Sequence, residues 1–218
     1  MSGDFLPEGT PRGLPGPLPA GERILWQGAP TTAGALVRIY HARLVAAWFA
    51  ACALAFGLSA GSPAAALSTV GPTLVVGAVG LALLRLFAWL THRTTVYTIT
   101  NRRVVLQAGI ALPVTHNVPF AQIEGAALRA FTDGSGDLPL QLRPGLRIAY
   151  LQLWPHARPW RLGRTQPMLR SVPDADAVAM VLARAIEAHA EASQTVRPMI
   201  VPRPRAVQDN PGRLVAAE

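Results

Sequence analysis

Two stretches of the chain carry almost no polar residues, and they organise everything around them. Leu44 to Ala60 reads LVAAWFAACALAFGLSA without a charge. Leu67 to Leu90 reads LSTVGPTLVVGAVGLALLRLFAWL, with Arg85 as its one charge. Runs of roughly 17–25 apolar residues are long enough to cross a bilayer as helices. The short, uncharged GSPAAA between them (Gly61 to Ala66) predicts a helical hairpin with a tight turn. From Thr94 the period changes to two. Thr95, Tyr97 and Ile99 alternate with Val96, Thr98 and Thr100, the pair Asn101-Arg102 supplies a turn, and alternation resumes through Val104 and Leu106. Leu138, Leu140 and Leu142 alternate with Pro139, Gln141 and Arg143. Ala149, Leu151 and Leu153 read as a further inward row, with Tyr150, Gln152 and Trp154 outward. DADAVAMVLARAIEAHA then returns to helical spacing, with Val178, Val181, Leu182, Ala185 and Ile186 on one face and Ser171 or Asp174 as its cap.

These elements predict a membrane α-helical hairpin of two spans, followed by a small all-β barrel or sandwich capped by a C-terminal amphipathic helix. The domains expected are a Pro/Gly-rich cytoplasmic arm over 1–36, extended and mobile through Pro7 to Glu22, the hairpin over 37–91 with spans at about 44–60 and 67–90, a cytoplasmic domain over 92–192, and a disordered tail over 193–218.

Charge fixes the orientation of the hairpin. Only 15% of residues are charged, all 20 basic residues are Arg, and the formal charge is +8. Arg38 and Arg43 precede the first span, Arg93, Arg102 and Arg103 follow the second, and the connecting loop has none. The positive-inside rule therefore places both termini of this two-pass hairpin in the cytoplasm. Arg38, Arg43, Trp48, Arg85, Trp89 and Arg93 are the expected membrane-interface residues, with Arg85 snorkelling to the headgroups or acting as an intramembrane charge. Ala47, Ala51, Ala55 and Ser59 recur every four residues on one face, and the second span offers Gly77 and Gly80. Small residues at this spacing pack helices closely, within the hairpin or against other membrane helices. The arginines are dispersed, which favours membrane lipids over nucleic acid as the anionic partner.

Little in the chain points to catalysis or metal. The five His (His41, His92, His116, His156, His189) share no metal-ligand spacing, and no HExxH occurs. His92, at the edge of the second span, is the single candidate pigment ligand. DGSGD (Asp133 to Asp137) lacks the remaining ligands of a calcium loop and reads as a hairpin turn. GAVG lies inside a span with no strand before it, there is no GxSxG, and the 12 acidic residues form no acid/base pair. The expectation is a non-enzyme with no metal and no cofactor.

The conspicuous segment is LWPHARPWRL, Leu153 to Leu162. Two prolines break strand pairing, and Trp and Arg are enriched at binding hot spots. Tyr150, Trp154, His156, Arg158, Trp160 and Arg161 are therefore the candidate partner-binding surface. The alternatives are a barrel corner with both Trp folded back, and a site for lipid headgroups.

VYTITNRRVVLQAG followed by Pro119 to Ile123 resembles the opening of a bacterial pleckstrin-homology-like (PH-like) domain, and ERILWQGAP before a two-helix hairpin is similar to the lead-in of membrane proteins that carry one. Three features in order, RGLPGPLPAGERILWQGAP, YLQLWPHARPWRL and QPMLRSVPDADAVAMVLARAI, resemble the PuhB family, assembly proteins of the photosynthetic reaction centre and core antenna of purple bacteria. The resemblance spans all but the far C-terminal tail. It implies that the cytoplasmic domain over 92–192 is PH-like. It also implies a non-enzymatic role in photosynthesis in the bacterial inner (intracytoplasmic) membrane, with reaction-centre or core light-harvesting polypeptides as partners and self-association open. A lipid-sensing PH-like envelope protein, or a pigment carrier through His92, are the other readings.

Overall fold

The computed structural model describes residues 11–110, 112–144, 148–159, 161 and 163–195. Strand β1 (Ile24–Gly28) comes first, then a helical lead-in made of α1 (Thr32–Gly34) and a π-helical turn, Ala35–Ile39. Two long helices follow, α2 (Ala42–Ser59) and α3 (Pro63–Thr94). Ser62 caps α3 by accepting from the Ala65 N–H, and Pro63 takes the first turn, where its missing N–H costs nothing. Both helices are long and apolar enough to cross a membrane, and few of their residues are buried inside the chain. Leu44, Trp48, Leu58, Leu67, Val75 and Leu83 all face outward.

Strands β2 (Val96–Thr100), β3 (Arg103–Ala108) and β4 (Val114–Pro119) continue directly from α3. With β1 they form an antiparallel sheet in the order β1-β2-β3-β4. The expected hairpin at Asn101-Arg102 is therefore present as the β2–β3 turn. After β5 (Ile123–Ala126) and β6 (Arg129–Ala130), strand β7 (Gly136–Leu142) pairs antiparallel with both of them and with β8 (Met168–Val172). Helix α5 (Ala175–Thr195) closes the domain. Its Val178, Leu182 and Ala185 are buried against Ile99, Leu106, Phe120, Leu138, Leu140 and Leu169, with Val181 and Ile186 packed at the margin. Amphipathic spacing thus fixes which face of α5 meets the sheets. Asp174 directly precedes α5, whereas Ser171 belongs to β8 and does not cap the helix.

Three expectations need correction. The first concerns the arm over 1–36. Far from being mobile, its residues 11–23 pack on the first sheet and Ile24–Gly28 form the edge strand of that sheet. Leu14 is buried, Gly13 at φ +86 lies against Val96, and Gln27 Nε2 donates to the Arg12 carbonyl and to Thr98 Oγ1. Glu22 accepts a two-pronged bond from Arg103, at 2.8 and 3.1 Å. With this segment on one face and the core on the other, every residue of β2 is buried. The second correction concerns Ala149–Leu153. These residues form no strand: α4 (Tyr150–Leu153) is a single helical turn. Leu153 is buried, but Leu151 is 85% exposed. The third concerns the stripe Ala47, Ala51, Ala55 and Ser59, whose two expected uses are packing within the hairpin and contact with other membrane helices: it faces outward, which removes the first use and leaves the second. Phe49 fills the hairpin interface instead, so close to Gly77 that a Cβ there would lie 2.9 Å from the ring, while a Cβ at Gly80 would meet open space. The tail beyond residue 195 lies outside the described residues.

Candidate functional site

The segment after α4 joins the domain in an unexpected way. Trp154 is 60% exposed, but His156, two residues on, is buried beneath it. His156 Nδ1 lies 2.7 Å from the Tyr97 hydroxyl and Nε2 lies 3.4 Å from Thr95 Oγ1. The Arg170 N–H donates to the Tyr97 oxygen at 3.2 Å, so we assign Tyr97 as the donor to Nδ1 and place the imidazole proton on Nε2. Burial, followed by the nearby charge of Arg170, pushes the His156 pKa down to about 3, and burial raises that of Tyr97. The imidazole is therefore neutral and acts as a strut between this segment and β2. Backbone bonds extend the attachment: the Met168 N–H donates to the His156 carbonyl and the Arg158 N–H to that of Gln166.

The six proposed surface residues accordingly separate. His156 is internal and is not a contact residue, which corrects its assignment. Tyr150, Arg158 and Arg161 border a cleft of about 770 Å³ that also takes in Arg143 and Arg164, with Glu124 as an acidic member. Arg158 Nη1 donates to Gln166 Oε1 across it at 2.9 Å. Trp154 lies elsewhere, beside Tyr40, Ile110 and the end of α3. Trp160 lies outside the described residues.

A second cluster joins the helices to the domain. The Thr31 N–H donates to the Ser171 carbonyl, and Arg170 reaches the Pro155 and Arg38 carbonyls through its two terminal nitrogens. The Tyr40 hydroxyl and Thr91 Oγ1 are 2.7 Å apart, and His92 Nδ1 lies 2.8 Å from the Pro30 carbonyl. Arg38 is not a free interface cation as expected. Its guanidinium donates to Ser135 Oγ and Asp133 Oδ2, both at 2.8 Å, and lies 3.7 Å over the Phe131 ring. DGSGD is thus the β6–β7 turn, with Gly134 at φ +76, and it docks the helical lead-in. Arg43, Trp48, Arg85, Trp89 and Arg93 are exposed, and Arg93 lies 5.1 Å from the Trp89 ring. Tyr97, Asp133 and Arg170 were missed in sequence reasoning because each gains its role from a partner far along the chain. Their local signals are only those of strand and turn. Among the described residues no group of His, Cys, Asp and Glu gathers as a metal site.

The bacterial PH domain family matches residues 42–186, a range that includes the two long helices and every strand but β1. The chain belongs to that family. It is also 37% identical over 201 residues to an uncharacterized 23.7 kDa protein in the puhA 5′ region of Rhodobacter capsulatus, covering 88% of this chain and 91% of that protein. Among solved structures, it is similar to a DUF1696 family protein with a pleckstrin-homology domain from Shewanella loihica PV-4. There the identity is 15% and the TM-score 0.29, over 42% of this chain and 71% of the other.

Proposed function

We propose that this protein is a membrane-anchored, non-enzymatic assembly factor for the photosynthetic reaction centre and its core antenna. The observation that carries the reading is the relative in the puhA 5′ region, whose likeness to this chain runs nearly end to end. The resemblance of the chain's three motifs to the PuhB family points the same way. Two outward-facing apolar helices support insertion in the membrane as a hairpin, because their exposed Leu, Val and Phe side chains find a matching solvent only in lipid. The hairpin holds the PH domain at the cytoplasmic face, where it presents surfaces to reaction-centre or antenna polypeptides.

Deleting the gene is the decisive experiment. The expected outcome is a membrane absorption spectrum with reduced reaction-centre and core-antenna bands and near-normal respiratory growth, restored by the full chain. A deletion strain with full pigment bands and an altered envelope stress response would instead support a lipid-sensing PH protein. Topology provides a separate check. A reporter inserted at Gly61 reads periplasmic and one after Thr91 reads cytoplasmic, because arginines flank both helices and the turn between them has none. A cytoplasmic signal from Gly61 would rule out the hairpin.

A further inference from the structure

The junction of helix and domain contains a pocket of about 520 Å³, lined by Val37, Arg38, Arg43, Arg129, Phe131 and Asp133 among others. Its acid is already occupied. Asp133 accepts from Arg38 at 2.8 Å and from the Ser135 hydroxyl at 2.7 Å. The Ser135 bond, followed by Arg38, holds its carboxyl at a pKa of about 2. Arg38 and Asp133 therefore cancel. Arg129 approaches the same Phe131 ring from 5.5 Å, and Arg43 is exposed in the first turn of α2. Among the described residues neither Arg43 nor Arg129 has a carboxylate within ion-pair distance. Two uncompensated guanidinium groups thus border one concave, aromatic-walled space.

The position of the pocket narrows its ligand. Arg43 immediately precedes Leu44, where the uncharged run of α2 begins. With α2 in the membrane, as the proposed function has it, the pocket opens at headgroup depth. We propose that it holds the phosphate of an anionic phospholipid of the phosphatidylglycerol type, with the acyl chains lying along the exposed apolar side of α2. Guanidinium groups bond phosphate oxygens in pairs, and basic pockets beside membrane helices are suited to such headgroups. A zwitterionic lipid brings its own ammonium toward Arg43 and Arg129 and is disfavoured. Free phosphate shares the headgroup chemistry but lacks the chains.

The inference rests on the membrane placement proposed above, so its test separates the two. The full chain is purified in detergent and reconstituted into nanodiscs of phosphatidylcholine with graded phosphatidylglycerol, and retained lipid is read by native mass spectrometry. Phosphatidylglycerol retention is expected to fall about tenfold in the double variant Arg43→Gln/Arg129→Gln. It is expected to hold in Arg23→Gln/Arg184→Gln, which removes the same charge elsewhere, and inorganic phosphate is not expected to displace the lipid. Equal retention in the two double variants overturns the site, as does displacement by phosphate at concentrations equal to the lipid's. Carbonate extraction of cell membranes is run in parallel. A chain released by carbonate refutes the membrane placement and the pocket's lipid with it, whereas a retained chain with unaltered lipid binding refutes the pocket alone.

Discussion

Leu153→Ala lowers the stability of the domain by about 2–5 kcal/mol, while Leu151→Ala leaves it within about 0.5 kcal/mol of the parent. The two leucines are two residues apart and, under strand periodicity, point the same way. In the structure α4 rotates them apart. Leu153 is 2% exposed and Leu151 is 85% exposed. Truncating the first removes buried methyl groups and opens a cavity beneath the attached segment, whereas truncating the second removes only side chain already in solvent. Unfolding of the full chain in detergent measures the difference directly, and its steady-state amount in membranes measures it in cells. A loss of this size is a large share of the 5–15 kcal/mol typical of a folded domain, so Leu153→Ala also lowers abundance. Equal losses from both substitutions would restore the alternating strand. Trp154→Ala belongs with Leu151→Ala in this comparison, because its side chain is largely exposed. A Trp154 variant that keeps its abundance and still impairs assembly of the reaction centre would identify this residue as a partner contact.

The parts of the fold legible in the sequence are those whose pattern is set by near neighbours. The two apolar helices announce themselves by length. The β2–β3 hairpin does so because Asn101-Arg102 sits between two alternating runs, and α5 because Val178, Leu182 and Ala185 recur with the helical period. What could not be read depends on partners far along the chain. Thr98 and Thr100 look like the wet face of β2, yet both are buried, since β1 and the segment before it cover that side from some 70 residues upstream. Which helix the small-residue stripe on α2 would meet could not be read either: Phe49 against Gly77 sets the approach of α2 and α3 and leaves the stripe outside the hairpin. Ala149–Leu153 has the period of a strand but pairs with none. The His116 ring of β4 meets the Gln152 carbonyl at 3.1 Å in place of a backbone ladder. With Pro155 next in line to interrupt any ladder, the segment turns helical and then dives inward at His156.

That inward turn gives the domain an expected acid sensitivity. In the folded chain the His156 pKa is about 3, against 6.5 for the unperturbed side chain. Between these values the unfolded chain binds a proton that the folded chain excludes. The contribution of His156 is therefore complete above pH 6.5 and is lost progressively as the pH falls toward 3. From pH 7.5 to pH 5 the loss comes to about 2 kcal/mol, since one pKa unit is worth about 1.4 kcal/mol. Asp133 does not confuse the measurement. Its depressed pKa of about 2 makes its contribution fall only below its ordinary value of 3.8. The test compares the unfolding midpoint of the full chain in detergent at the two pH values with that of His156→Gln. Glutamine keeps an oxygen to accept from Tyr97 but cannot titrate. The variant is expected to start from a lower midpoint at pH 7.5 and to change much less on acidification. Parent and variant losing the same amount would mean that some other group carries the proton. If the parent alone weakens, the segment bearing Trp154 and Arg158 is held to β2 by an uncharged imidazole, and protonating it releases the attachment from inside the core rather than from its surface.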